Sequence, residues 1–318
     1  GMVLIALFVL ALTNRPGGVT AALPLLGMLA LGAQRLLPLM QQIYGNWSVV
    51  AGSHAALNDV IDLLDQPFPQ YYFQDEPEPL EIKDSFSLQG LSFRYNESSP
   101  WVLDDISFKI MKGSRIGLIG TTGSGKSTTL DLLMGLLEPT HGELMVDDIK
   151  IDDSSIRAWR QTVAHVPQSI FLADTSIAEN IAFGVVQEKI SMVQVKEAAK
   201  KAMINDFIES RPNGYSEVVG ERGVRLSGGQ RQRIGIARAL YKKANVIVFD
   251  EATSALDNET EKVVMDAIRN LGEELTLIIV AHRLSTLASC THIIELDQGK
   301  ILRIGSYDEI INHSRSTS

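Results

Sequence analysis

The chain has 318 residues, and its 29 Lys and Arg against 38 Asp and Glu give a formal net charge of −9. This length suits about two domains, and a hydrophobic content of 45% is sufficient for a buried core. An acidic chain without a run of basic residues argues against nucleic acid as the main partner. Cys290 is the single cysteine, so a disulfide framework within the chain is excluded.

The N-terminal part predicts helices of membrane type. Met2 to Leu12 is an unbroken apolar run with about half of the ~20 residues that cross a bilayer. We therefore expect the chain to begin inside a transmembrane helix whose first half is missing; a buried helix of a soluble domain is the alternative. Val19 to Met40 is long enough to cross despite Pro24 and Pro38, and helical spacing continues beyond it. Residues 1–66 are predicted to be the C-terminal fragment of a transmembrane domain.

A proline-rich segment separates this part from the rest of the chain. Residues 67–84 contain four prolines, from Pro67 to Pro79, among several acidic residues. This composition is typical of an extended linker. We therefore place a second domain at residues 85–318.

The second domain begins with strand patterns and then alternates strands with helices. Two-residue alternation from Phe86 to Tyr95 and from Ile106 to Ile110 predicts an antiparallel β subdomain. The later strands are predicted at Arg115–Ile119, Val163–Val166, Val246–Phe249, Leu277–Val280 and Ile293–Leu296, with a hairpin at Asp147–Asp148. The helices are predicted at Ser127–Leu137, Ser154–Gln161 and Glu259–Leu271, and residues 176–240 are predicted to form a mostly helical subdomain. Strands separated by helices imply an α/β fold with a mostly parallel sheet.

The pattern G-x-x-x-x-G-K-S lies between the first of these α/β strands and its helix. Its residues are Gly120, Thr121, Thr122, Gly123, Ser124, Gly125, Lys126 and Ser127. Glycines let backbone N–H groups face a phosphate without interference from a Cβ, and the helix N-terminus adds a positive end. In such a P-loop, Lys126 reaches the β- and γ-phosphates and the Ser127 hydroxyl binds Mg²⁺. A turn of glycine and serine that binds nothing is the alternative.

A second turn with phosphate-binding character opens a later helix. Ser227 stands before Gly228 and Gly229, and Gln230 follows them. A serine hydroxyl, free backbone N–H groups and the helix dipole would together bind an anion. An ordinary N-cap explains Ser227 but not the pair of flexible glycines behind it. We therefore expect one nucleotide to be bound from two sides.

Polar residues stand at the ends of several predicted strands. Asp250 suits a water-mediated contact with Mg²⁺, and Glu251 suits polarising the attacking water. His282 and Gln168 follow two other strands, where His282 could bond the γ-phosphate and Gln168 could contact both Mg²⁺ and water. The alternative for the acid pair is solvated surface, but the ends of parallel strands gather at the P-loop edge. Tyr95 could stack on adenine, although an isolated tyrosine is more often part of a core.

The order and spacing of these motifs resemble the nucleotide-binding domain of an ATP-binding cassette (ABC) protein over roughly residues 85 to 311. Ser254 to Asp257 resembles a further motif of that family, the D-loop, and no motif position departs from the pattern. The resemblance implies ATP and Mg²⁺ as ligands. It gives catalytic roles to Glu251, His282, Gln168 and Lys126, metal-binding roles to Ser127, Gln168 and Asp250, and nucleotide contacts to Tyr95, Thr128, the P-loop residues and residues 227–230.

Val219 to Gly223, just before the second turn, resembles the exporter form of this domain. The resemblance implies a half-transporter in a membrane, with its ATPase on the cytoplasmic side, that drives export or flipping of a substrate. It also implies two partners. One is a second copy of the chain or a paralogous half-transporter, joined in a head-to-tail nucleotide-binding dimer, and the other is the missing transmembrane domain.

A soluble ABC ATPase that acts on nucleic acid or ribosomes is the alternative function. It would predict a basic surface, a tandem cassette or a long coiled-coil insertion after the P-loop, and these 318 residues contain none of them. A P-loop kinase of the adenylate type would have no use for Leu226 to Gln230. The transported substrate stays open between lipid-linked saccharide, lipid, peptide and drug.

Overall fold

The computed structural model describes residues 10–11, 18–66, 76–252, 256–281 and 284–310. It divides the chain into two compact units after residue 74. The last residues of the predicted linker belong to the second unit, because Ile82 is fully buried and the N–H of Leu80 donates to the carbonyl of Ala158 at 3.2 Å. The domain boundaries at residues 66 and 84 stay a prediction.

The first unit contains one long helix, α1 (Gly18–Leu64), with Pro24 and Pro38 inside it. Its described side chains are almost all exposed. Among the described residues, no helix combines the length and the apolar character that a membrane crossing needs. The structure therefore confirms the helix but not the predicted crossing from Val19 to Met40, whose apolar stretch is broken by Gln34 and Arg35.

The second unit contains a four-stranded antiparallel sheet. Its strands are β1 (Ser85–Phe93), β2 (Leu103–Met111), β4 (His141–Val146) and β5 (Ile149–Lys150), in the order β2-β1-β4-β5. Phe86 of β1 lies opposite Ile110 on one side and Val146 on the other. The predicted antiparallel region and the hairpin at Asp147–Asp148 are confirmed.

A six-stranded sheet forms the centre of the second unit. Its strands are β3 (Arg115–Gly120), β6 (Val163–Val166), β7 (Val246–Asp250), β8 (Thr276–Val280), β9 (His292–Asp297) and β10 (Lys300–Gly305), in the order β10-β9-β3-β8-β7-β6. All neighbours are parallel except β10, which runs antiparallel to β9. The mostly parallel sheet is confirmed, and β10 is a strand that the sequence analysis missed.

The helices of the second unit begin and end at recognisable signals. They are α2 (Lys126–Leu133), α3 (Ile156–Thr162), α4 (Ile177–Ile181), α5 (Met192–Lys201), α6 (Asn205–Glu209), α7 (Gly228–Tyr241) and α8 (Asn258–Arg269). The Ser227 and Asp257 side chains cap α7 and α8. Helix α2 ends before the predicted Leu137 because Gly135, at φ 69°, takes a left-handed conformation that stops the helix.

Two hydrophobic cores cover the two faces of the six-stranded sheet. Strand β7 contributes to both, because Val246 and Val248 point into one core while Ile247 and Phe249 point into the other. The first core lies against the antiparallel sheet and the second against α7 and its neighbouring helices. Since β3 and β7 are parallel and separated only by β8, their C-terminal ends reach the same edge of the sheet.

Candidate nucleotide-binding site

The P-loop connects β3 to α2 through three glycines with positive φ. These angles are 152° at Gly120, 82° at Gly123 and 100° at Gly125. A Cβ on Gly125 would also lie 2.5 Å from Cδ2 of Leu103, so a side chain has no room there. The loop therefore needs glycine both for its backbone angles and for its close packing, and its N–H groups stay free of side-chain cover.

Lys126 begins α2 and folds back over the loop. Its Nζ donates to the carbonyls of Gly120 and Thr121, each at 2.9 Å, and its side chain is buried. The ammonium group is thus fixed beside the loop, in the place where phosphate oxygens would need a positive charge. A cavity of about 240 Å³ opens here, and it is lined by Val102, Thr122, Gly123, Gly125, Lys126, Ser127, Thr128 and Glu251.

Glu251 follows directly after β7 and reaches this cavity. Its φ of 49° is left-handed, a conformation that costs a residue with a side chain about 1–2 kcal/mol. The N–H of Glu251 donates to the carbonyl of Val280 at 3.1 Å, which ties the turn to β8. The sheet therefore holds a strained backbone at the wall of the cavity that Lys126 and Ser127 also line.

Asp250, the last residue of β7, lies in an electrostatically crowded position. Burial raises the pKa of its carboxyl group above the ordinary value, and the nearby Glu251 and Asp131 raise it further, while His165 and Lys126 oppose them. A cation bound at this point would favour the charged carboxylate and reverse the effect of burial. No group of three or more His, Cys, Asp or Glu side chains suited to a metal occurs in the part of the chain that the structure describes.

Gln168 stands just beyond β6, as predicted, and its side chain is exposed. It lines a separate cavity of about 260 Å³ together with Ser169, Ile170, Gly228, Arg231, Gln232, Ala252 and Leu256. Ala252 comes directly after Glu251, so the turn that ends β7 contributes one residue to each cavity. The structure thus places Gln168 beside the start of α7 and not among the residues that line the P-loop cavity.

Ser227 and Gln230 form a reciprocal cap at the start of α7. The Ser227 hydroxyl accepts from the Gln230 N–H at 3.3 Å, and the Gln230 side chain accepts from the Ser227 N–H at 2.8 Å. None of the residues 227–230, all of which the structure describes, lines the P-loop cavity. Within one chain, this turn therefore lies apart from the P-loop cavity.

Close packing, and not flexibility, explains Gly229, the second of the two glycines behind Ser227. A Cβ on Gly229 would overlap Cγ2 of Thr260 in α8, and a Cβ on Gly228 would lie 3.0 Å from Cδ2 of Leu256. Neither glycine has a positive φ. The glycine pair therefore does not by itself indicate a ligand, because contact with α8 alone requires Gly229.

Tyr95 is 64% exposed, so it is not a core residue. Its ring meets Phe93 edge-on at 5.0 Å between centroids, and its hydroxyl lies 3.5 Å from Oγ1 of Thr128 in α2. The ring is thus anchored near the P-loop helix and accessible to a planar ligand. His282, together with Ser254 and Ala255 of the predicted D-loop, lies outside the described residues.

The residues at these cavities that the sequence did not predict include Val102 and Gln232. Val102 lines the P-loop cavity, and no sequence signal marks it. Gln232 is 5% exposed and donates to the carbonyl of Gln168. A signal for Gln232 exists, since it falls on the buried stripe of α7 with Gly229 and Ile236, where a polar side chain needs a partner.

The chain is similar in sequence to known ATP-dependent transport proteins. Residues 103–254 match the family model described as ABC transporter. The chain is 38% identical over 280 residues to the ATP-dependent lipid A-core flippase of Alkalilimnicola ehrlichii. The aligned residues make up 88% of this chain and 47% of that protein. It is 41% identical over 264 residues to the β-(1→2)glucan export ATP-binding/permease protein NdvA of Rhizobium meliloti, and the aligned residues make up 81% of this chain and 44% of that protein.

A solved structure, that of a bacterial Atm1-family ABC exporter with ATP bound, is similar in fold. The TM-score is 0.71 at 31% sequence identity, and the match covers 90% of this chain and 51% of the other. The chain spans about half the length of the curated relatives it matches.

Proposed function

This chain belongs to the ABC transporter family, and on that premise we propose that it binds and hydrolyses ATP as the nucleotide-binding part of an exporter. One observation carries the proposal. The strained turn after β7 brings Glu251 to the wall of the cavity that Lys126 and Ser127 also line. A phosphate-binding loop alone would bind a nucleotide, whereas a carboxylate facing that loop can also act on water.

The P-loop binds the phosphates of ATP and Tyr95 holds the base. The Lys126 ammonium exchanges its two carbonyl contacts for the β- and γ-phosphate oxygens, and the N–H groups of the glycine-rich loop contact the same phosphates. The exposed ring of Tyr95 stacks on adenine, and Thr128 lies beneath its hydroxyl. These contacts fix the nucleotide before any chemistry takes place.

The end of β7 supplies the hydrolytic chemistry. The Ser127 hydroxyl and the Asp250 carboxylate are oxygen ligands of the kind that Mg²⁺ takes, together with substrate phosphates. Mg²⁺, when bound, neutralises charge on the transferred phosphoryl group. Glu251 accepts a proton from the attacking water and His282 bonds the γ-phosphate. Gln168 lines the neighbouring cavity, and its amide would orient that water once its segment moves toward the P-loop.

The second half-site implies a partner chain. Since residues 227–230 lie apart from the P-loop cavity of their own chain, we propose that they complete the site of a second copy or of a paralogous half-transporter. Two chains joined head to tail would enclose two ATP molecules. Loss of the γ-phosphate would then remove contacts across the interface and open it.

Export or flipping across a membrane, with the ATPase on the cytoplasmic side, is the task that the relatives favour. Their names include a lipid A-core flippase and a glucan exporter, and a solved ABC exporter shares the fold. These names support an exporter over a soluble ATPase. They differ in cargo, so the proposal leaves the cargo open between lipid-linked saccharide, lipid, peptide and drug.

ATP turnover by the purified chain tests this proposal. Glu251→Gln keeps the shape of the side chain but removes most of its basicity, so turnover should fall by about two to four orders of magnitude. Equilibrium dialysis should show ATP binding unchanged. Glu259→Gln makes the same change at an exposed position in α8 and should keep full activity. An unaltered chain without ATP turnover, or a Glu251→Gln chain as active as Glu259→Gln, would contradict the proposal.

A further inference from the structure

Gln232 is a buried amide that connects the helix α7 to the segment that carries Gln168. Its Nε2 donates to the carbonyl of Gln168 at 2.7 Å and, more weakly, to that of Pro167 at 3.4 Å. Its Oε1 is buried and has no hydrogen-bond partner among the residues that the structure describes. Among the described residues, the side-chain amide of Gln232 is therefore held through its Nε2 alone, which donates to the turn that follows β6.

The rest of the segment after Gln168 is fixed to the same helix. Arg238 donates to the carbonyl of Phe171 at 3.0 Å and to that of Asn180 at 3.0 Å. Gly235 allows Ile170 to pack against the helix backbone, since a Cβ there would lie 2.5 Å from Cδ1 of Ile170. The chain from Gln168 to Phe171 thus contacts α7 along more than one turn.

These contacts attach Gln168 to the helix that Ser227 begins. Along the chain, Gln168 follows the end of β6 after a single residue, Pro167. We propose that Gln232 is a positioning residue that makes Gln168 move together with α7. Because α7 begins after Ser227, the position of the Gln168 side-chain amide then depends on the position of the Ser227 half-site. This inference rests on the proposed ATP hydrolysis.

Gln232→Met tests the role with little change in side-chain volume. It removes the donor to the Gln168 carbonyl, and the loss of one such buried hydrogen bond corresponds to about a five- to tenfold lower kcat for ATP. The KM for ATP should stay within about twofold, because the P-loop and Tyr95 are untouched. The Mg²⁺ concentration for half-maximal turnover should rise by a similar factor in Gln232→Met and in Gln168→Ala. The control is Gln187→Met, the same change at an exposed position.

A double-mutant cycle separates positioning from general packing. If Gln232 acts through Gln168, adding Gln232→Met to Gln168→Ala should lower kcat by less than about twofold. Two losses that multiply would overturn the inference, as would an unchanged Mg²⁺ requirement in Gln232→Met. A chain that does not hydrolyse ATP before any substitution would refute the proposed function instead.

Hydrogen exchange of the unaltered chain gives the answer if Gln232→Met does not fold. Amides of residues 168–171 and 230–238 should change protection together when ATP is added, since they belong to one body. Exchange that changes in one stretch and not in the other would contradict the inference.

Discussion

The contact between Gly229 and Thr260 gives the most specific test of the packing around the second half-site. A Cβ on Gly229 would overlap Cγ2 of Thr260. Thr260 cannot rotate away cheaply, because its χ1 is restricted and its Oγ1 donates to Asp257 at 2.8 Å within the cap of α8. Gly229→Ala must therefore displace α7 from α8.

The magnitude follows from two opposing effects. Overpacking of this kind lowers the free energy of unfolding by about 1–3 kcal/mol. The higher helix propensity of alanine relative to glycine offsets at most about 1 kcal/mol of this loss. A net loss of about 1–2 kcal/mol corresponds to a Tm lower by roughly 2–8 °C in a domain of this size. Gly228→Ala is the matched control, since its Cβ meets the movable end of Leu256 at 3.0 Å. It should leave Tm nearly unchanged.

Thermal unfolding followed by circular dichroism measures the effect, and Thr260→Ser reverses it. Serine keeps a hydroxyl group that can donate to Asp257 as Thr260 Oγ1 does, but it lacks Cγ2. The double variant Gly229→Ala with Thr260→Ser should therefore recover most of the lost stability. Equal Tm values for Gly229→Ala and the unaltered chain, or the same loss in the Thr260→Ser background, would refute the packing argument.

Two substitutions in the P-loop region have distinct expected signatures. Lys126→Ala removes the positive charge beside the phosphates and should lower ATP turnover by at least about two to three orders of magnitude. Lys112→Ala, the same change at an exposed position, should not lower turnover. Near-native turnover by Lys126→Ala would reject the P-loop assignment. Tyr95→Ala removes a stacked ring worth about 1–3 kcal/mol, so the KM for ATP should rise at least about fivefold while kcat changes little. Tyr95→Trp should keep the low KM, and an unchanged KM in Tyr95→Ala would reject the stacking role.

Local patterns in the sequence were sufficient for most elements of the second unit. Strand β6 is predicted with its observed bounds because Val163 to Val166 lies between a short helix and Pro167. The glycines of the P-loop are also predictable, since their spacing reports positive φ angles directly. Strand β10 was missed because its side chains are only alternately half-buried and give a weak apolar pattern.

Contacts between distant parts of the chain were not predictable. Nothing in the sequence says that Gly229 meets Thr260 or that Gln232 bonds the backbone of Gln168, because periodicity reports which face is buried and not what covers it. The apolar stretch from Val19 to Met40 forms part of a helix, while its crossing of a membrane stays a prediction. Its length suggests a crossing, but the polar pair Gln34 and Arg35 shortens the continuous apolar part.

Association driven by ATP tests the central claim most directly. Light scattering would measure the mass of the Glu251→Gln chain, which should bind ATP without hydrolysing it. The account predicts twice the monomer mass at saturating ATP and Mg²⁺, the monomer mass with ADP, and the monomer mass when Ser227→Arg is added, although ATP still binds the P-loop. A monomer at saturating ATP and high protein concentration would contradict the composite site, as would a dimer that tolerates Ser227→Arg.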